Sequence, residues 1–207
     1  MKQPAKKTRG RPKVYDRGEA LETAMQLFWR HGYEGVSIAE LCAALGITPP
    51  SLYAAFGSKD QLFREALDLY VSTQTAFIRQ AIAEEATAAA CVERILRECA
   101  RRYASGETPA GCLVGSGILR CASAHDSIAE LLSQRRSSTR ELFAARLKAA
   151  VASGELDKNV DTDALARLYA AVVQGMSVQA IDGASAADLD AIATIAIAHW
   201  PQRWQSS

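Results

Sequence analysis

The chain has 207 residues, 49% of them hydrophobic with only 6 prolines and 13 glycines, and this composition excludes a disordered or fibrous protein. Arg167 interrupts the longest apolar segment, and five cysteines without a C-x-x-C pair accompany only three histidines. Neither a membrane span, a disulfide framework nor a zinc site is therefore expected. The formal net charge of +1 is unevenly distributed, because six of the 24 lysines and arginines lie in residues 1–14, which contain no acid.

The basic amino-terminal segment, residues 1–15, predicts a flexible arm that contacts nucleic acid, since the rest of the chain is mildly acidic. RGRP at residues 9–12 is typical of an AT-hook, in which an extended Arg-Gly-Arg follows the narrow minor groove of A·T-rich DNA. The candidate contacts are Arg9, Arg11 and Lys13. The alternative interpretation is a solvated basic tail. The start lacks the apolar core of a signal peptide, so we expect a cytoplasmic protein.

Three helices are predicted between residues 16 and 57, each with its own start signal. Asp16 and Ser37 precede helical patterns that carry a Glu three residues later, and Thr48 precedes a proline at the first helical position. The predicted helices cover residues 17–31, 38–45 and 49–56. A short helix, a tight glycine turn and a second short helix have the spacing of a helix-turn-helix motif.

The remainder of the chain is predicted to be helical as well. A helix from Ser58 to about Glu84 precedes an apolar stripe that ends at Tyr103, and no alternating strand pattern occurs. Further helices are predicted over residues 112–122, 128–151, 163–181 and 186–199. We therefore expect an all-α fold, with a three-helix domain over residues 16–57 and a helical bundle over residues 58–207.

The segment ALETAMQLFWRHGYEGVSIAELCAALGITPPSLYAAFGSKDQLF carries GIT, LY, F, SK and LF at the offsets found in the TetR-like (TetR/AcrR) transcriptional regulators. The chain resembles that family most specifically over residues 16–63. PAGCLVGSG and LARLYAAVVQGMSVQAIDGAS also resemble a common carboxy-terminal variant of the family. The resemblance implies a homodimeric repressor, without catalytic activity or cofactor, whose binding to a double-stranded DNA operator is relieved by a small-molecule effector.

The third helix is predicted to be the recognition helix. Leu52 and Phe56, four residues apart, are expected to face the core, which leaves the amino end of the helix exposed. Two prolines remove N–H donors there, and Ala54 and Ala55 cannot bond a base edge, so we expect few direct base contacts. Flanking residues at helix starts are interpreted as phosphate anchors. The predicted contacts are Ser37, Thr48, Pro49, Pro50, Ser51, Tyr53 and Lys59.

The bundle over residues 58–207 is expected to hold the effector pocket and the dimer interface. Cys112 begins a predicted helix that the resemblance places near the family's ligand pocket. The candidate effector contacts are Tyr103, Cys112, Ser116, Arg120, Phe143 and Gln174. The last two helices carry more apolar surface than one subunit readily buries. The predicted interface consists of Leu165, Leu168, Tyr169, Val172, Met176, Leu189, Ile192 and Ile195.

Two alternative functions remain open at this point. An architectural protein would bind A·T-rich DNA through the RGRP arm without effector control. A thiol-based regulator would sense electrophiles or oxidants through Cys112 or Cys99, near Arg102 or Arg120; buried, unreactive thiols are the simpler interpretation of these cysteines. An enzyme is not indicated, because no nucleophile with a base, no phosphate-binding glycine loop and no metal set is recognisable.

Overall fold

The structure is a computed structural model that describes residues 16–117 and 122–201, and over these residues the predicted all-α fold is confirmed. The candidates Arg9, Arg11, Lys13 and Arg120 lie outside the described residues. The helices are α1 (Arg17–His31), α2 (Ile38–Leu45), α3 (Pro49–Phe56), α4 (Lys59–Gln74), α5 (Ala76–Glu84), α6 (Ala88–Tyr103), α7 (Leu113–Ser116), α8 (Asp126–Ala152), α9 (Thr162–Ile181) and α10 (Ala186–Ala198). A 3₁₀ turn at Ser123–His125 precedes α8.

The starts of the first three helices follow the predicted capping pattern. The Asp16 carboxylate accepts the first free N–H groups of α1, and Ser37 with Glu40 forms a complete capping box at α2. At α3, Thr48 has the extended backbone of an N-cap, but its hydroxyl makes no bond to the helix backbone. Gly46 adopts the left-handed conformation that ends α2. The predicted bounds of all three helices are confirmed.

An aromatic cluster joins α1 and the segment that follows it to α4. The ring of Phe63 on α4 contacts Phe28 and Tyr33 edge to face, with centroid distances of 5.0 and 5.2 Å. All three rings are buried. Edge-to-face contacts of this kind add to the stabilisation that burial of apolar surface gives. The packing therefore fixes α1 against the amino-terminal half of α4.

The predicted single helix over residues 58–84 is wrong, because α4 and α5 are separate helices that meet at Thr75. The Thr75 hydroxyl donates to the Val71 carbonyl at 2.8 Å, and the Thr73 hydroxyl donates to the Leu69 carbonyl at 2.7 Å. Hydroxyls that bond back to the preceding turn weaken and bend helices. The break redirects α5, which packs against α6.

The predicted helix over residues 112–122 is also wrong in its extent, because α7 ends at Ser116. The Ser116 hydroxyl donates to the Cys112 carbonyl at 2.8 Å, so it competes with the backbone for that acceptor. Gly117 follows, and glycine in a helix costs about 1 kcal/mol relative to alanine. Together these features make a long helix unfavourable at this position.

The carboxy-terminal bundle is built around α6, which packs against α5, α9 and α10, while α9 also packs against α8. Among the described residues, α9 is the one helix whose length and mean hydropathy of 1.2 would suit a membrane span. A core helix of a globular protein has the same properties. The contacts of α9 with α6, α8 and α10 give its buried side chains a protein environment.

Candidate nucleic-acid interface and effector cavity

The helix α3 presents a polar end to solvent and an apolar side to the core. Leu52 and Phe56 are buried, whereas Tyr53 is exposed. The exposed residues at the amino end are Thr48, Pro49, Pro50 and Ser51. The axes of α2 and α3 differ by 91°, which is the angle of a helix-turn-helix motif. This arrangement leaves the amino end of α3 free to enter a major groove.

The prolines change the hydrogen bonding at the amino end of α3. Because Pro49 and Pro50 have no N–H, and the Leu52 N–H is bonded to the Thr48 carbonyl at 3.0 Å, Ser51 carries the remaining N–H of the first turn. The hydroxyls of Thr48 and Ser51 lie 3.0 Å apart. One backbone donor and two hydroxyls are thus grouped at the exposed tip, a cluster that residue types alone did not reveal.

Lys59 is held in place at the start of α4. Its ammonium lies 4.2 Å from the centroid of the Tyr33 ring, and partial burial lowers its pKa. The Tyr33 hydroxyl donates to the neighbouring Asp60 carboxylate. Lys59 is therefore a positioned cation beside the recognition helix rather than a freely solvated one.

Ser37 is less available to bind a phosphate than its position at the start of α2 suggested. Its hydroxyl donates to the Glu40 carboxylate at 2.7 Å and accepts the Glu40 N–H at 3.1 Å. Hydrogen bonds from the Ser37 backbone and side chain lower the pKa of Glu40, so the carboxylate stays ionised. The hydroxyl proton is thus already used, and a negative charge lies beside it.

Arg17 was not among the sequence candidates, although it lies close to the recognition helix. Its guanidinium lies 4.7 Å from the centroid of the Phe56 ring and 2.6 Å from a Glu65 carboxylate oxygen. The first contact connects α1 to the carboxy end of α3, and the second connects α1 to α4. Arg17 therefore stabilises the position of α3. In the sequence, its place directly after the Asp16 N-cap indicated that it lies in the first turn of α1.

An open cavity with a volume of about 90 Å³ lies between α4, α5, α6, α7, α8 and α9. Three predicted effector contacts line it, namely Tyr103, Cys112 and Gln174. The lining residues that the sequence did not identify are mostly apolar or cationic. They include Val71, Ile78, Leu142, Val173, Arg79, Arg135 and Arg136. This mixture of apolar and polar side chains suits a small organic ligand.

Two other predicted effector contacts do not line this cavity. Phe143 is buried in the bundle, where its ring centroid lies 6.5 Å from that of Tyr169. The Ser116 hydroxyl points back along its own helix to the Cys112 carbonyl. Their role as effector contacts stays a prediction, and for Ser116 it was based on one face of a longer helix that α7 does not form.

The cysteines Cys42, Cys91, Cys99 and Cys112 are free and buried. Burial raises the pKa of Cys99 to about 12, so this thiol is protonated near neutral pH. Because the thiolate is the reactive form, Cys99 is unsuited to sensing electrophiles in this conformation. Cys112 faces the cavity, where a ligand would contact it.

The short helix α7 connects the cavity with the helix-turn-helix domain. On the cavity side, the Cys112 N–H donates to the buried Ser177 hydroxyl at 2.8 Å. On the other side, the Trp29 indole of α1 donates to the Gly111 carbonyl at 3.3 Å. The same segment therefore touches both α9 and α1.

The outer surface of α9 and α10 is apolar. Leu168 and Ile195 are 54% and 62% exposed, while Leu165, Val172 and Ile192 are half-buried. Three other predicted interface residues are buried in the chain's own core: Tyr169, Met176 and Leu189. Those three lie beneath the surface of the single chain. The prediction included them because helical periodicity does not separate a core stripe from the adjacent exposed one.

Comparisons with known proteins agree with this architecture. Residues 20–66 match the bacterial regulatory proteins of the tetR family, and residues 88–195 match the tetracyclin repressor-like carboxy-terminal domain. The chain is 37% identical over 201 residues to the HTH-type transcriptional repressor ComR of Escherichia coli (strain K12), covering 97% of this chain and 96% of ComR. It is 41% identical over 109 residues to the HTH-type transcriptional repressor BdcR of the same organism, covering 53% and 55%.

A solved structure resembles the chain over almost its whole length. It is a cysteine-substituted variant of the TetR family transcriptional regulator CifR in complex with 26-base-pair double-stranded operator DNA. The sequence identity is 41% and the TM-score 0.89, with 93% of this chain and 100% of the CifR chain covered.

Proposed function

Because the chain belongs to the TetR family of bacterial regulatory proteins, which are DNA-binding transcriptional regulators, we propose that it is a cytoplasmic repressor that leaves its operator when a small molecule binds. The observation that carries this proposal is α3, whose exposed amino end is held at 91° to α2. The repressor names of ComR and BdcR support the direction of control. The proposal includes no catalytic role.

In this function, α3 reads DNA with a small set of groups. The hydroxyls of Thr48 and Ser51 and the Ser51 N–H are grouped where base edges would lie. The rings of Pro49 and Pro50 can contact thymine methyl groups. Tyr53, exposed one turn further on, has a hydroxyl suited to a phosphate. Direct readout is therefore narrow, and phosphate contacts carry much of the affinity.

A footprint tests this function. The wild-type protein should protect one short palindrome with two half-sites about 34–36 Å apart, the spacing that a two-fold dimer of helix-turn-helix units imposes. Ser51→Ala should change the preferred base at one position in each half-site by about 1–3 kcal/mol. Tyr53→Phe, the matched control, removes one hydroxyl as well but should weaken all sequences about equally. The reverse assignment would mean that α3 lies rotated in the groove.

The architectural alternative gives a different footprint. A protein that binds mainly through the RGRP arm would protect A·T-rich DNA broadly, without a palindrome. Its binding would also be insensitive to Ser51→Ala. Broad protection combined with that insensitivity would replace the repressor proposal by the architectural one.

The amino-terminal arm is expected to add affinity without adding much specificity. Deletion of residues 1–13 removes six positive charges. If the arm binds phosphates, the slope of log K against log salt should become shallower by about 0.9 for each phosphate that the arm no longer neutralises. Fluorescence anisotropy with a fixed operator at several salt concentrations measures this slope. An unchanged affinity and slope would identify the arm as a passive tail.

We propose that the dimer forms through the outer surface of α9 and α10. Exposed Leu168 and Ile195 supply apolar contacts, and Gly175 lies between the exposed residues of α9, with nothing within 4 Å of the position that a β-carbon would occupy. A second subunit could therefore approach the α9 backbone closely there. In this division of labour, residues 16–57 form the DNA-binding domain and residues 58–207 the effector-binding and dimerisation domain.

Release of the operator is proposed to run through α7. A ligand in the cavity would contact Cys112 and Val114, and a shift of α7 would be felt at the Gly111 contact with Trp29 on α1. A ligand that prefers the released state a hundredfold shifts the equilibrium by about 2.7 kcal/mol, which is ordinary allosteric coupling. This mechanism needs no covalent chemistry.

A further inference from the structure

The side chains that line the cavity carry positive charge. Arg79 from α5 and Arg135 and Arg136 from α8 all line it, and no aspartate or glutamate occurs among the described residues that line it. Arg135 pairs with Asp68, whose carboxylate lies outside the lining, whereas Arg79 is exposed and has no ion-pair partner within residues 16–117 and 122–201. The positive charge of the cavity is therefore only partly compensated.

The neutral donors around the cavity are largely used within the protein. The hydroxyls of Thr75 and Ser138 each donate to a carbonyl of their own helix, at 2.8 and 3.1 Å. The Thr139 hydroxyl does the same at 3.3 Å. The Arg79 guanidinium, which has no ion-pair partner among the described residues, and the Gln174 amide are then donors that a ligand could use.

Two of the guanidinium groups are partly withdrawn from water. The Nε atom of Arg135 is buried and has no hydrogen-bond partner in the described structure. Arg136 donates to the Val114 carbonyl of α7 at 3.1 Å, and burial lowers its pKa. The unpartnered Nε–H of Arg135 would be stabilised by an anion, because a charge-assisted hydrogen bond replaces the lost hydration.

Much of the remaining lining is apolar and includes Val71, Ile78, Leu142 and Val173. We propose that the effector is an amphipathic anion: a medium-length apolar body bearing one carboxylate or phosphate group, with its headgroup on Arg79, Arg135 and Arg136. The apolar body would lie towards Cys112 and Tyr103. This ligand class rests on the effector-controlled function proposed above.

Direct calorimetry without DNA tests the ligand class. The probes are octanoate, octyl phosphate and octanamide, which share an apolar chain and differ in the headgroup. The wild-type protein should bind at least one of the two anions roughly tenfold or more tightly than octanamide, since the amide lacks the charge. Whichever anion binds more tightly identifies the headgroup.

Variants locate the site. Arg79→Gln should remove most of the preference for the anion, and Arg79→Lys should restore part of it because the charge returns. The matched control is Lys158→Gln, which removes a positive charge from an exposed residue between α8 and α9 and should leave binding unchanged. Equal binding of octanamide and the anions, or no binding of any of the three probes, would overturn the ligand class. An anion preference that survives Arg79→Gln would overturn the site.

These outcomes are separate from the test of the repressor function. The calorimetry contains no DNA, and the footprint is recorded without ligand. A palindromic footprint with no anion binding would leave the repressor standing and remove the amphipathic anion. Anion binding without an operator footprint would do the opposite.

Discussion

A Leu168→Asp substitution is expected to dissociate the dimer and to reduce operator affinity by roughly two orders of magnitude or more. Leu168 is 54% exposed in the single chain, so the free subunit can hydrate the carboxylate. At an interface the same carboxylate would be buried without a partner, which costs several kcal/mol per ion. Each subunit of the dimer would contribute one such carboxylate. Sedimentation velocity at low micromolar concentration measures the assembly, and anisotropy with the operator measures binding.

The position of the charge matters for interpreting this experiment. Val172 and Ile192 are half-buried and pack against the core, so a charge there would disturb folding as well as assembly. Ile195→Asp, at a residue that is 62% exposed on α10, avoids this and should behave like Leu168→Asp. Gln80→Glu adds one negative charge to an exposed position on α5 and is the matched control. Dimers that persist in both interface variants would place the contact on another surface.

The helices of the DNA-binding domain could be predicted closely because their signals are local. A cap such as Ser37 with Glu40 involves residues three apart, and the glycine that ends each helix is adjacent to it. The two prolines at the start of α3 are equally local. Nothing distant has to be known to find such boundaries, so sequence and structure agree there.

The break at Thr75 and the short α7 were missed because apolar spacing continues through them. Hydroxyl groups that bond to the preceding turn leave the pattern of buried residues unchanged, as Thr75 does with Val71. The error extended to the cavity. Arg79 on the redirected α5 and Arg135 on α8 line the same cavity only after the chain has folded, so neither residue could be assigned to a pocket from spacing.

The interface prediction shows a related restriction. Periodicity identifies an apolar helix such as α9. One stripe of α9 faces α6 and α10 and another faces outward, and the residues of the two stripes are only one or two positions apart in the sequence. Tyr169, which is buried, and Leu168, which is exposed, are neighbours in the sequence. Telling the two stripes apart requires the packing of the other helices.

A Gly111→Ala substitution is expected to destabilise the fold strongly and to disturb the segment that links the cavity to α1. Gly111 has a φ of +73°, where alanine costs about 1 kcal/mol or more. Its β-carbon would also lie 2.7 Å from the Ser177 carbonyl oxygen and 2.9 Å from the Ile181 side chain. Relief of that overlap requires α7 to move away from α9, at a further cost of about 1–3 kcal/mol.

Gly106 provides the matched control, because the same loop holds it at a φ of +74° with nothing within 4 Å of an added β-carbon. Gly106→Ala therefore carries the backbone cost alone, and urea unfolding of both variants isolates the steric part as their difference. If α7 transmits ligand binding, Gly111→Ala should also weaken release of the operator by the effector, whereas Gly106→Ala should not. Equal destabilisation of the two variants would mean that α7 yields easily against α9, and a contact that yields so easily could not carry the coupling between the cavity and the recognition helices.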